Sequence, residues 1–165
     1  MPAPVLVVPD DLNDFPGGPF GQRRVMAAVA ELRALAGWHI APVLTETVTV
    51  DSNGGCDLVL PTRRLVSVSS VNSWTSGWDV YSSGILYRSI GWPAGRLVVT
   101  MTHGFDECPD DLLPVLAARS AGSGGRDPSV ASVSVGNVQT TYRDGMGASQ
   151  ADAAVSRYSV RVGVV

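Results

Sequence analysis

Residues 96–111 read RLVVTMTHGFDECPDD, and the reading of this stretch decides the fold class. Leu97, Val99 and Met101 alternate with Val98, Thr100 and Thr102, the period of two that gives a strand two different faces. Gly104 stops the alternation. Cys108, Pro109, Asp110 and Asp111 then prepare a helix, with carboxylates where the positive end of its dipole falls. A β-layer is handed to a helix within one short turn, so each is expected to pack against the other.

Working back towards the N-terminus, the pattern before this strand is dominated by β signals. Trp78 to Ser82 and Ile85 to Ser89 predict a hairpin around Ser83-Gly84. Leu65 to Val71 predicts another strand, with Val66, Val68 and Ser70 on one face. Val43 to Val50 is rich in Thr and Val and follows Pro42, which bars helix. Asp51-Ser52-Asn53-Gly54-Gly55 tolerates positive φ, so Val43–Val50 and Cys56–Leu60 are expected to pair as a hairpin. Six short strands at close spacing argue for a small antiparallel sandwich or barrel.

Helices flank this β-rich region. Val25, Val29, Leu32 and Ala36 recur at steps of four, three and four between Phe20 and Gly37, with Ala28 and Leu35 widening the stripe. Pro19 suits the start and Gly37 a left-handed cap. A second helix is expected over about Asp111 to Ala121; with Asp111 as its cap, Pro114 falls in the first turn, where its missing N–H is not needed. Gln150 to Arg157 predicts a last short helix capped by Ser149. Residues 1–20 hold five prolines and a Gly-Gly pair, an arm with little regular structure. Ser129 to Tyr142 reads as a second arm containing a strand. After Tyr158, Val160, Val162 and Val164 alternate with Ser159, Arg161 and Gly163, a strand signature able to add to another chain.

The bulk composition narrows the function classes. Net charge is −3, with 45% hydrophobic and 16% charged residues, which offers no basic footprint for nucleic acid. So few charges fit a chain that hides part of its surface in an assembly. Cys56 and Cys108 lie far apart without a pairing motif and read as reduced thiols of a cytosolic protein. Val5 to Pro9 is too short for a signal-peptide core, and no run reaches the roughly 18 apolar residues of a membrane span.

Candidate chemistry is sparse. His103 near Asp106, with serines nearby, suggests a hydrolytic triad, but no nucleophile stands on a Gly-x-Ser-x-Gly turn, so no catalytic residue is assigned and His103, at a strand end, reads as a hydrogen-bonding residue locking the turn. Asp106, Glu107, Asp110 and Asp111 fit no EF-hand spacing and are expected to serve the helix terminus, so no metal or cofactor ligand is assigned. Trp74, Trp78, Tyr81, Tyr87 and Trp92 crowd together. They suit a core plug or a subunit interface, with a sugar-stacking platform on a ligand-binding β-module as the competing reading. Arg63 and Arg64 form a small basic pair at a strand entry.

The strand motif Val99-x-x-Thr102-His103-Gly104-Phe105-Asp106, its acidic turn and the Pro-x-Asp-Leu helix entry resemble the head-to-tail connector (adaptor) proteins of long-tailed bacteriophages. Gly37-Trp38-His39-Ile40-Ala41-Pro42, Leu58 to Thr62 followed by Leu65 to Val71, and Gly84 to Arg88 before Trp92-Pro93 occur in that family's order, over roughly residues 22 to 158. The resemblance implies an α+β fold in which a small antiparallel β-sandwich or barrel (42–108) is inserted between helices of a short hub (20–41 and 109–165), with extended terminal arms, the first over 1–19. It implies a structural virion protein at the head–tail interface, assembled in the host cytoplasm as a ring of twelve copies. Such a ring docks on the capsid portal, presents a surface to the next stopper or tail-completion protein, and lets DNA pass without sequence-specific binding or membrane contact. Tyr158, Val160, Val162 and Val164 are the residues expected to bind a partner by strand addition.

Overall fold

The computed structural model describes residues 4–122, 132–135, 138–141 and 147–160. The fold is α+β, and the chain divides into two compact units. The first takes its described residues from 4–6, 36–108 and 158–160, and the second from 7–35 and 109–157.

The first unit holds two three-stranded antiparallel sheets. In one, β1 (Leu44–Ser52) and β3 (Leu65–Val71) flank β6 (Gly95–His103). In the other, β2 (Asp57–Val59) and β4 (Asp79–Tyr81) flank β5 (Ile85–Tyr87). Both sheets bury side chains in one core: Leu58 and Leu86 meet Leu65, Val71, Leu97, Val99 and Met101. The β6 alternation holds, with Leu97, Val99 and Met101 buried and Val98, Thr100 and Thr102 outside or half-buried. On the outer face, hydroxyls of Thr45 and Thr102 (2.7 Å) and of Thr47 and Thr100 (3.0 Å) bond across β1 and β6.

The expected hairpin of Val43–Val50 with Cys56–Leu60 does not form. β1 pairs with β6 through nine residues, from Leu44 opposite His103 to Ser52 opposite Gly95, while β2 pairs with β5. The Asp51–Gly55 turn exists, with the Gly55 amide on Asn53 Oδ1 and Gly54 at φ +85°, but it carries the chain from one sheet to the other. Length explains the choice: β2 has three residues to offer and β6 has nine, so β1 satisfies more backbone groups against β6. The β4–β5 hairpin forms as expected, closed by Gly84 at φ +92°, where a Cβ would lie 2.2 Å from the Thr62 carbonyl oxygen.

In the second unit, α1 (Gln22–Ala36; its last residue belongs to the first unit) buries Val25, Ala28, Val29 and Leu32, while Leu35 falls beyond the stripe and is 51% exposed. Before it, one 3-10 turn (Pro9–Leu12) buries Leu12 completely, and Phe20 is buried as well. Helix α2 (Leu113–Gly122) starts two residues later than expected, so Asp111 precedes the cap position and instead pairs with Arg157 at 3.4 Å. Pro114 still falls in the first turn, where its missing N–H breaks no helical bond. Arg119 of α2 forms an ion pair with Glu31 of α1. Ser132–Val135 (β7) and Val138–Thr141 (β8) pair as an antiparallel ribbon where one strand was expected, and α3 (Gly147–Tyr158) buries Ala154 and Val155. Among the described residues no helix is long and apolar enough to cross a membrane.

Candidate interaction and ligand site

The residues assigned to partner binding lie at the end of the chain, and the structure describes two of the four. Tyr158 ends α3 and is half-buried. Its carbonyl accepts a hydrogen bond from Trp38 Nε1 (2.6 Å), and its ring meets the Phe105 ring edge-on at 5.7 Å. Arg63 Nε donates to the Ser159 carbonyl at 3.0 Å, and the Val160 amide donates to the Ala36 carbonyl at 2.8 Å. That last bond satisfies one of the carbonyls that a helix end leaves open. Gly37, at φ +81°, gives the backbone room beside the Val160 carbonyl. Residues 158–160 are therefore clamped to their own chain by side chains of Trp38 and Arg63. Val162 and Val164 lie outside the described residues.

Beneath this clamp the same loop builds a second constellation. Trp38 lies over His103 with ring centroids 6.0 Å apart and planes 21° from parallel, and His39 meets His103 edge-on at 4.5 Å. His103, the last residue of β6, has no exposed surface; its Nε2 lies 2.7 Å from Glu46 Oε1. Glu46 reaches it because β1 and β6 pair with Leu44 opposite His103, which makes Glu46 its diagonal neighbour on the inner face. Burial lowers the His103 pKa below its ordinary 6.5, and the bond and charge of Glu46 oppose that only in part. His39 Nε2 lies 2.9 Å from the Pro42 carbonyl oxygen. Between them Ile40 is held at φ +69°, a conformation that a β-branched residue adopts only when its surroundings impose it. His39, Glu46 and His103 each offer a ligand atom within 4.8 Å of one another, the kind of donor set that can hold a metal ion.

His103 does hydrogen-bond as expected, but to Glu46 on the neighbouring strand β1 and not within the turn that follows it. The cluster itself escaped sequence reasoning, because Glu46 and His103 are 57 residues apart and meet only through the β1–β6 register. One global signal pointed to it: the chain has two histidines, and both are here. Asp106 and Glu107 are exposed and Asp111 pairs with Arg157. Of the aromatic group, Trp92 is buried in the shared core with its Nε1 donating to the Leu86 carbonyl (3.3 Å). Trp74 and Trp78 pack against that core, and the Arg88 guanidinium covers Trp74 at 4.4 Å. Tyr81 is exposed. Arg64 lies over the Phe105 ring at 5.8 Å; Cys56 is exposed and Cys108 half-buried, and the two are not joined in a disulfide.

No protein-family profile and no curated protein matches the sequence. Among solved structures, the fold is similar to that of a chain from the neck of an empty GTA particle computed with C6 symmetry. The TM-score is 0.58 at 16% identity, covering 93% of this chain and 87% of that one.

Proposed function

We propose that this protein is a structural component of the neck of a phage-like particle, a head-to-tail connector rather than a catalyst. The observation that carries the reading is the shared fold: nearly the whole chain superimposes on nearly the whole of a neck subunit, so the likeness is not confined to one common motif. In this reading the protein belongs to the virion, at the head–tail junction, after assembly in the host cytoplasm. Copies form a ring that docks on the portal, lengthens the DNA channel and meets a stopper or tail-completion protein. The six-fold symmetry of the similar neck is compatible with the expected twelve copies.

Composition supports the same role. A chain of net charge −3 with 16% charged residues would not grip phosphates and stall passing DNA. Mixing the purified protein with the portal protein of the same genome and imaging by negative stain tests the proposal. Rings stacked coaxially on the portal are the expected result. A monomer that leaves the portal undecorated at all mixing ratios overturns it.

A further inference from the structure

We propose that His39, Glu46 and His103 form a binding site for one borderline divalent cation of the Zn2+ type, with two imidazoles and one carboxylate as its protein ligands. Three separate elements supply them: the loop after α1, strand β1 and the end of β6. Hard cations such as Ca2+ and Mg2+ select oxygen-only sites, whereas two nitrogens and one oxygen suit Zn2+ and its neighbours. The inference is independent of the neck assignment.

The surroundings are built to hold these groups still. His103 is fully buried, and Trp38 lies across its face. One of its nitrogens meets Glu46, and the other, Nδ1, is buried with no hydrogen-bond partner. An ion shared with Glu46 takes Nε2, the nitrogen that faces the carboxylate, and the ring proton stays on Nδ1. A backbone carbonyl, that of Pro42, lies within bonding distance of His39 Nε2, and a carbonyl behind an imidazole N–H is a common support for metal-ligating histidines.

Space beside His39 is kept clear by Gly104: a Cβ there would lie 2.8 Å from His39 Nε2 and 2.7 Å from the Pro42 oxygen. Ile40, next to His39 in the chain, holds φ at +69°, a costly conformation for a β-branched residue that persists only where its surroundings impose it. Glu46 is the outward ligand, its side chain 44% exposed, so an ion enters from solvent and water completes the coordination.

The test uses the full chain without a polyhistidine tag, stripped with chelator, titrated calorimetrically with Zn2+ and spectroscopically with Co2+. One ion per chain, a melting temperature that rises with Zn2+, and Co2+ ligand-field bands without thiolate charge transfer are expected, the last setting aside Cys56 and Cys108. His39→Gln and Glu46→Gln, which keep hydrogen-bonding capacity, should each weaken binding at least about tenfold. No saturable uptake of either ion, thiolate bands in the Co2+ spectrum, or undiminished affinity in the H39Q/E46Q double variant would overturn the proposal.

Discussion

His103 has no solvent-exposed surface, and burial depresses its pKa in the folded state despite the neighbouring Glu46. The unfolded chain therefore binds a proton more readily than the folded one, and linkage fixes the sign. The stability this group confers is complete above about pH 6.5 and is lost as pH falls through the unfolded and then the folded pKa. In chelator-treated protein, urea midpoints should drop on acidification over that window, and His103→Gln should flatten this part of the profile. Gly104 is the other sensitive position. At φ +120° and with backbone oxygen at 2.7 Å from a would-be Cβ, Gly104→Ala should cost about 2–4 kcal/mol in denaturant unfolding. An unchanged midpoint would show that the His39 loop yields easily. At this scale the sequence was legible only in part: a polar residue at a strand end reads as a hydrogen-bonding residue, but nothing local names Glu46 as its partner.

Elements were legible where their pattern is decided by their own residues. The α1 stripe, the Gly37 cap, the β4–β5 hairpin and the β6 alternation all follow from periodicity and turn chemistry. The partner of β1 was not legible, because turn residues at 51–55 signal a reversal without saying which strand awaits on the other side. Pairing is settled by length and by the buried face, both properties of the assembled sheets. Leu86 shows how the two sheets depend on each other: it sits on the central strand of the smaller sheet, fully buried in the core shared with β6. Leu86→Ala should destabilise the protein by about 2–5 kcal/mol, measured by urea unfolding. A cost under about 1 kcal/mol would mean that the two sheets do not share one packed interior.

At the scale of the whole molecule, the end of the chain carries the boldest expectation. Residues 158–160 are fastened by Trp38, Arg63 and the Ala36 carbonyl, which sets the point from which any longer tail must depart. Five residues of extended chain beyond it would reach on the order of 17 Å, enough to touch an adjoining subunit of the proposed ring. Deleting Ser159 to Val165 should lower the melting temperature by only a few degrees and abolish capture by the portal protein in a pull-down. Retained capture would remove the tail from the docking mechanism while leaving the ring proposal standing.

The pairing of β1 with β6 also has a cost in time. Leu44 and His103 are partners at opposite ends of the long β-rich segment, so the first strand leaves the ribosome seconds before its mate at about 5–20 residues per second. Until then its nine residues expose a row of open amides and carbonyls, a template for pairing with the wrong chain. Contacts this distant in sequence also form slowly. Yield in a heterologous host should therefore fall as more such waiting chains are present together, so slower initiation, which spaces them out, should favour the correctly paired sheet.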